Sequence, residues 1–162
     1  MILVAAGSSL PFCGIDSQQI VSRAFFALGR ITHLKKISCL YETQAWPDPA
    51  DPPFINAVAE IDTRMSPEAL LQTLLAIEAA FGRRRSARNA PRSLDLDMLA
   101  YHQARRSGGE SGLILPHPGL HEREFVLAPL CDIAPEWRHP VTGAAAKAML
   151  EALPTHEARR IF

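Results

Sequence analysis

Residues 66–82 read SPEALLQTLLAIEAAFG and carry a complete helix signal. They begin with a serine suited to the N-cap, a proline suited to the first helical position and an acid that the helix dipole favours. Apolar side chains then recur at helical spacing until Gly82 supplies a stop. The segment therefore predicts an amphipathic helix with a broad apolar face.

The segments on either side of this helix predict strands. Residues 94–100, LDLDMLA, alternate between apolar and polar side chains after it, and residues 55–61, INAVAEI, alternate before it. Residues 37–43 predict a further strand, and the short apolar run at residues 2–6 predicts a buried one. Two strands thus precede the pair that flanks the helix.

A helix is also predicted between the first two strands, capped by Asp16 or Ser17 and ended by Gly29. The element order is then β-α-β-β-α-β, which is the split arrangement of ferredoxin-like sandwiches. Residues 125–130 and 144–153 predict short additional helices. We therefore expect an α/β (α+β) fold with one antiparallel sheet and a C-terminal helical appendage.

Length and composition are those of a globular domain. The chain has 162 residues, so we expect a single domain over residues 1–162. Its 17 basic and 17 acidic side chains give a net charge of +0, which argues against a nucleic acid or an anionic membrane as partner. The chain contains no apolar run of about 18 residues, so a membrane span is not expected.

Cysteine usage points to a reducing compartment. Cys13, Cys39 and Cys131 are odd in number, far apart and without C-x-x-C spacing, so neither a disulfide framework nor a zinc site is indicated. The apolar N-terminus is short and lacks the basic segment of an export signal. We therefore expect a cytoplasmic protein.

The connection at residues 82–92, GRRRSARNAPR, holds five arginines and no acid. Planar guanidinium groups suit phosphate oxygens, so the run favours a polyphosphate site. A solvated basic loop or an RNA-contacting patch would produce the same run. The arginines alone therefore leave these alternatives open.

The strand that follows carries a pair of acids. Asp95 and Asp97 project from one face and lie about 6–7 Å apart along the strand, where two carboxylates can share divalent ions. An Asp-x-Asp pair on an exposed sheet face is also a common structural feature. Next to the arginine run, however, the pair supplies the complementary half of a metal–nucleotide site.

Three further side chains are candidates for ligand contacts. His117 stands between two prolines, which suits a restrained donor to phosphate but equally a simple turn. Phe54 and Asn56 follow a loop with four prolines and share one strand parity, opposite to Ile55. They could form a core and edge pair, or an aromatic face and an amide that bind a flat heterocycle.

The common nucleotide and hydrolase motifs, G-x-x-x-x-G-K-[ST], G-x-G-x-x-G and G-x-S-x-G, are absent from the sequence.

Taken together, these motifs resemble the 6-hydroxymethyl-7,8-dihydropterin pyrophosphokinases of folate biosynthesis. The resemblance spans nearly the whole chain and includes the family's ferredoxin-like fold. It rests on a first strand that ends in Gly-Ser, and on Tyr41-x-Thr43, Phe54-x-Asn56, Glu78 with Gly82-Arg83, residues 88–97 (RNAPRSLDLD), Pro116-His117-Pro118 and Arg123-x-Phe125.

The resemblance implies transfer of diphosphate from ATP, the co-substrate, to the hydroxymethyl group of the pterin, with release of AMP. It assigns catalysis to Arg83, Arg92, Asp95 and Asp97, with the two aspartates holding two Mg²⁺ ions. It assigns ATP contacts to Glu78, Arg85, Arg88, His117 and Arg123. It assigns the pterin pocket to Thr43, Gln44, Trp46, Phe54, Asn56 and Phe125. The partners are then small molecules, and a monomer is the default expectation.

Several positions depart from the family pattern. Gly112 stands where well-known members carry an arginine, for which Arg105 or Arg106 could compensate. Ser9, Gln44-Ala45 and Asn89 replace a frequent asparagine, a frequent Pro-Pro and a tryptophan of some relatives. We expect the loops at 44–53 and 83–92 to close over bound substrates and exclude water.

Two alternative functions belong to other classes. An RNA-binding ferredoxin-like module would use the arginine run, but the predicted strands lack its aromatic stacking pattern and the net charge is zero. A non-catalytic nucleotide- or pterin-binding protein would keep the pocket without turnover. The presence of Asp95, Asp97, Arg92 and His117 argues against it.

Overall fold

The computed structural model describes residues 1–45, 48–83, 90–109 and 112–161. Its elements, in chain order, are β1 (Ile2–Ser8), α1 (Ser17–Gly29), β2 (His33–Ile37), β3 (Tyr41–Thr43), β4 (Phe54–Asp62), α2 (Pro67–Ala80), β5 (Asp95–Tyr101), β6 (Arg106–Gly108), β7 (Leu113–Leu115), a 3₁₀ turn (Leu120–Glu122), α3 (Glu124–Ile133), α4 (Ala146–Glu151) and β8 (Arg159–Arg160).

The main sheet has the strand order β5-β1-β4-β3-β8, with β2 also paired to β4. Every pairing between these strands is antiparallel. The expected α/β class, antiparallel sheet and helical appendage are confirmed. The predicted helix caps are also found, since Asp16 accepts from the Gln19 N–H and Ser66 from the Ala69 N–H.

The segment 37–43 was expected to form one strand, and this prediction is wrong. β2 ends at Ile37 and β3 begins at Tyr41, and both pair with β4. Ser38 causes the interruption: its N–H donates to the Val58 carbonyl (2.9 Å), while its side-chain Oγ accepts from the Val58 N–H (3.0 Å). A side-chain oxygen thus replaces a backbone carbonyl in the ladder, and the chain leaves its regular register.

Helices cover the sheet on both faces. Side chains from α1 and α2 pack on one face against the alternate residues of β1, β4 and β5, including Leu96 and Met98. On the other face, α3 and α4 pack against Leu3, Val58 and Leu99. Because strand residues alternate between faces, Asp95 and Asp97 project on the α3 side, as predicted.

Gly82, after α2, has a steric role as well as a conformational one. Its φ of +75° lies in the left-handed region that favours glycine. A Cβ at this position would also collide with the ring of Phe12. Gly82 therefore fixes the direction in which the chain leaves α2 toward Arg83.

Short elements were not anticipated from the sequence. The two strands of the β6–β7 hairpin, the 3₁₀ turn and β8 each contain two or three residues. Such short segments contain too few residues to show a hydrophobic periodicity.

In the parts of the chain that the structure describes, no helix combines the length and hydropathy needed to cross a membrane. Cys13, Cys39 and Cys131 are free thiols.

Candidate functional site

Most of the predicted site residues that the structure describes lie on the α3 side of the sheet, near the end of β1, whereas Glu78 approaches from α2 on the other face. Gly7 is paired with Asn56 on β4 and with Asp95 on β5. A Cβ on Gly7 would lie 3.1 Å from Asn56 Oδ1 and 4.0 Å from Asp95 Cβ. The missing side chain therefore lets Asn56 and Asp95 approach each other across β1. In the sequence, Gly7 was recognised only as part of the Gly-Ser pair that ends the first strand.

Arg83 is held by acidic and carbonyl oxygens. Its Nη1 donates to Glu78 Oε1 and to the Leu94 carbonyl, each at 3.0 Å, and also contacts Asp95 Oδ1. Glu78 comes from the last turn of α2, whereas Leu94 and Asp95 lie at the start of β5. The guanidinium therefore joins α2 to the strand that carries the acidic pair.

Glu78 is almost fully buried, with 5% of its surface exposed. Its Oε1 accepts the Leu96 N–H at 2.6 Å. Burial raises the pKa of Glu78 to about 7, although the Leu96 N–H and the charge of Arg83 oppose the rise. These contacts direct the carboxylate to Arg83 and β5, and the ATP contact of Glu78 stays a prediction.

Arg92 lies on the other side of Asp95. Its Nε is 3.4 Å from Asp95 Oδ2, and its guanidinium carbon is 5.6 Å from the centroid of the Phe54 ring. Ser9 holds this segment in place, because its Oγ accepts the Arg92 N–H (3.1 Å) and its own N–H donates to the Arg92 carbonyl (3.0 Å). Ser9 therefore anchors Arg92 beside the acidic pair.

Asp97 faces His117 at a distance of 3.8 Å from Oδ2 to Nε2. Burial, and then the charge of Asp95, raise the pKa of Asp97, while His117 opposes the rise. Burial also lowers the pKa of His117. His117 Nδ1 accepts the Gly119 N–H at 3.2 Å, which assigns the proton of the neutral ring to Nε2, on the side of Asp97.

Arg123 and Phe125 frame the start of α3. Arg123 is the N-cap residue, and its guanidinium lies 5.6 Å from the centroid of the Phe125 ring. A Cβ on Gly119 would come within 2.8 Å of the guanidinium carbon, so glycine allows this close packing. Phe125 remains 39% exposed, which leaves ring surface available to a ligand.

The heterocycle side of the site contains Asn56 and Thr43. Asn56 Nδ2 donates to Thr43 Oγ1 at 2.8 Å. Asn56 faces away from the core that holds Ile55, as its strand parity predicted. Gln44 is exposed. Trp46, Arg85, Arg88 and Asn89 lie outside the described residues, so their predicted roles stay predictions.

Within the described ranges, no contact of Arg105 or Arg106 supports the hypothesis that one of them replaces the missing arginine. Arg105 contacts the Pro140 carbonyl, and Arg106 Nε lies 3.8 Å from Glu68 Oε1 at the start of α2. Gly112 itself has a φ of +68°, a conformation that favours glycine over arginine.

The acidic pair fits a hard divalent cation. Across the described ranges, no group of three or more His, Cys, Asp and Glu side chains forms a ready metal cluster. Mg²⁺, however, commonly takes only one or two carboxylates and completes its shell with phosphate oxygens and water. Burial, and then the like charge of Asp95, raise the pKa of Asp97, and a bound cation would oppose both effects.

Buried polar atoms near the site also lack hydrogen-bond partners. Among the described residues they are Ser8 Oγ, Ser93 Oγ and Arg92 Nε, the last in charge contact with Asp95 but outside hydrogen-bond geometry. Ser8 is the last residue of β1, and Arg92 and Ser93 come just before β5, so all three lie next in sequence to the strand ends that carry Gly7 and Asp95. By contrast, a cavity of about 680 Å³ lies elsewhere, between α1 and the β2–β3 link.

Comparisons with known proteins agree with this arrangement. Residues 3–135 match the family model described as 7,8-dihydro-6-hydroxymethylpterin-pyrophosphokinase (HPPK). A 2-amino-4-hydroxy-6-hydroxymethyldihydropteridine pyrophosphokinase of Methylorubrum extorquens is 40% identical over 77% of this chain and 82% of that protein. The enzyme of that name from Pseudomonas aeruginosa is 38% identical over 99% of this chain and 96% of its own.

Solved structures show the same fold. A crystal structure of HPPK-DHPS in complex with substrates superimposes with a TM-score of 0.71 at 14% identity, covering 93% of this chain and 44% of that chain. The wild-type HPPK-DHPS of Plasmodium falciparum gives 0.68 at 11% identity, with 93% and 44% covered. The chain thus spans less than half the length of these two structures.

Proposed function

The chain belongs to the 7,8-dihydro-6-hydroxymethylpterin-pyrophosphokinase family, and we propose that it transfers diphosphate from ATP to the hydroxymethyl group of 6-hydroxymethyl-7,8-dihydropterin. It is accordingly an ATP-dependent diphosphotransferase of folate biosynthesis. The observation that carries the proposal is the acidic pair Asp95 and Asp97, set between Arg83 and Arg92 on one side and His117 on the other. The RNA-binding alternative and the non-catalytic binder are not favoured.

The proposed reaction needs alignment and charge neutralisation more than covalent catalysis. The hydroxymethyl oxygen forms a bond to the β-phosphorus, and the bond from that phosphorus to the α,β-bridging oxygen breaks. AMP leaves with that oxygen, and the hydroxyl proton passes to water. Arg83, Arg92 and Arg123 would neutralise charge on the phosphate oxygens, and the neutral His117 would donate a hydrogen bond to them from Nε2.

Asp95 and Asp97 would hold Mg²⁺, and we propose two ions. The metal would supply charge neutralisation and a fixed orientation of the phosphates. Asp95 is occupied by Arg83 and Arg92 in this structure. Phosphate oxygens accept from the same guanidinium groups, so triphosphate binding would draw both arginines away and expose the Asp95 carboxylate.

The pterin would bind between Phe54 and Phe125, with Asn56 and Thr43 at its polar edge. Aromatic rings favour stacking on a flat heterocycle, and an amide offers both donor and acceptor. The partly exposed ring of Phe125 and the Asn56–Thr43 hydrogen bond support this placement. Gln44 and Trp46 complete the proposed pocket, and Glu78, Arg85 and Arg88 the proposed ATP contacts.

The number of domains, the oligomeric state and the compartment are also proposed. We propose one pyrophosphokinase domain over residues 1–162, since all the strands described except the β6–β7 hairpin share one main sheet. A monomer in the cytoplasm is proposed, and the three free thiols support the reducing compartment.

A product assay tests the function. Purified protein is incubated with ATP, Mg²⁺ and the pterin, and AMP and ADP are separated by chromatography. Pterin-dependent AMP without ADP is expected, and it should be lost in Asp97→Ala but kept in Asp62→Ala. Asp62 is a matched control because its carboxylate is exposed and lies outside the proposed site. Its Oδ2 is 3.7 Å from Lys35 Nζ. ADP formation, or no AMP from folded wild type at saturating substrates, would contradict the proposal.

A further inference from the structure

The C-terminal segment runs along one edge of the site. It follows the family match, which ends at residue 135. β8 pairs antiparallel with β3, so that Arg160 lies opposite Tyr41 and Arg159 opposite Glu42. Next to it, the Ile161 N–H donates to the Leu40 carbonyl at 2.9 Å, and the Ile161 side chain packs against the core. One end of the segment is thus joined to the strand that carries Thr43.

The other end of the segment is bound to the start of α3. Glu124 stands between Arg123 and Phe125, and its Oε2 accepts the Glu157 N–H at 2.7 Å. Its Oε1 lies 3.8 Å from His156 Nδ1. Arg123, the N-cap residue of α3, makes no side-chain cap hydrogen bond. The carboxylate of Glu124, in the first turn of α3, contacts the C-terminal segment instead. The segment therefore touches both elements that flank the proposed pterin pocket.

We infer that residues 155–161 form a strap that holds β3 and the start of α3 at a fixed separation, and that Glu124 is a positioning residue for pterin binding through Arg123 and Phe125. This inference rests on the proposed function. The strap touches no residue of the acidic pair in the contacts described. Phe125 is assigned to the pterin and Arg123 to the phosphates, which other arginines also contact, so the strap should change pterin affinity more than ATP affinity.

The contacts of the strap are unequal in strength. The Arg159–Glu42 ion pair has side chains that are 69% and 33% exposed, and such exposed pairs contribute little. The bond from the Glu157 N–H ends on a carboxylate that is only 16% exposed. Although Glu157 itself is exposed, a hydrogen bond to a charged and largely buried acceptor is stronger than an ion pair between two exposed side chains. The Glu157–Glu124 bond is therefore the contact to remove.

Two pairs of variants isolate this bond. Glu157→Pro removes the donor N–H, whereas Glu157→Ala keeps it. Glu124→Ala removes the acceptor, whereas Glu124→Gln keeps an acceptor oxygen. We expect Glu157→Pro and Glu124→Ala to raise the dissociation constant of 6-hydroxymethyl-7,8-dihydropterin by about tenfold, the loss of one charge-assisted hydrogen bond. Glu157→Ala and Glu124→Gln should stay within about twofold of wild type.

The readouts separate positioning from simple stability. Pterin binding is followed by its fluorescence, and binding of α,β-methylene-ATP is titrated on the same variants. A rise in the pterin dissociation constant that is larger than the rise in the nucleotide dissociation constant supports the strap. Equal pterin constants in Glu157→Pro and Glu157→Ala would overturn it, as would a loss of both affinities together with thermal stability.

Hydrogen exchange keeps the test independent of the proposed reaction. The amides of residues 41–43 and 124–127 should exchange faster in Glu157→Pro than in Glu157→Ala. Unchanged exchange at both segments would overturn the strap. If the wild-type protein bound no pterin, both the proposed function and the role of Glu124 in pterin binding would be wrong.

Discussion

Arg83 Nη1 lies 3.0 Å from Glu78 Oε1, and that same oxygen accepts the backbone N–H of Leu96 at 2.6 Å. One buried carboxylate atom therefore orients the guanidinium and fixes the register of the strand that carries Asp95 and Asp97. Leu96 stands between the two aspartates, so its N–H position determines how both carboxylates are presented. The end of α2 is thus part of the support for the acidic pair.

The burial of Glu78 predicts a pH-dependent stability. Its pKa is raised from 4.5 to about 7, so its contribution to stability is fully present below pH 4.5 and is lost as the pH rises through 7. The shift corresponds to about 3 kcal/mol. Glu78→Gln keeps an oxygen acceptor without the titration. The free energy of unfolding, measured by urea denaturation from pH 4.5 to 8, should fall more steeply in wild type than in this variant. Parallel pH profiles would contradict the prediction.

Removal of Arg83 should affect turnover. Arg83→Ala takes away a donor for phosphate oxygens and leaves Glu78 and Asp95 without their shared cation. We expect kcat to fall by about 10²- to 10³-fold, the usual effect of deleting one electrostatic donor. Steady-state AMP formation measures this effect. Arg64→Ala, at an exposed position, is the control and should keep wild-type turnover; equal activity in both variants would exclude Arg83 from the site.

The parts of this site that follow strand periodicity could be predicted from sequence. Because side chains alternate along a strand, the spacing of Asp95 and Asp97 placed both on one face, and the parity of Asn56 set it apart from Ile55. Capping preferences likewise identified Ser66 as one helix cap and left Asp16 or Ser17 for the other, of which the structure shows Asp16. These features depend on neighbours in the chain, so a single sequence contains them.

Contacts between distant segments could not be predicted in this way. The break after β2 depends on Ser38 bonding to Val58, and the support of Arg92 depends on Ser9. The ATP contact of Glu78 stays a prediction, and the sequence did not indicate its contacts with the Arg83 guanidinium and the Leu96 N–H. Polar side chains at such positions have many alternative partners, and only the folded topology selects among them.

Neutralising Asp97 should separate stability from activity. Burial and the charge of Asp95 raise the pKa of Asp97, so its ionised form is disfavoured in the folded protein without ligands. Asp97→Asn should therefore raise the Tm at pH 7.5 while it lowers kcat by about 10³-fold or more, since the proposed metal ligand is lost. Differential scanning calorimetry and the AMP assay measure the two effects. A lower Tm together with retained activity would contradict both parts.

A substitution at Gly7 should impair pterin binding more than ATP binding. A Cβ there would lie 3.1 Å from Asn56 Oδ1, closer than ordinary van der Waals contact, and Asn56 is restrained by its bond to Thr43. Gly7→Ala should therefore displace the amide and raise the KM for pterin about tenfold, with a stability loss of about 1–3 kcal/mol. Gly29→Ala is the control, because its Cβ would meet Leu34 at 3.4 Å, outside the site. Since Gly7 is also opposite Asp95, a rise in the KM for ATP of the same size would show instead that the acidic pair had moved, and the assignment of Asn56 to the heterocycle would then lose its support.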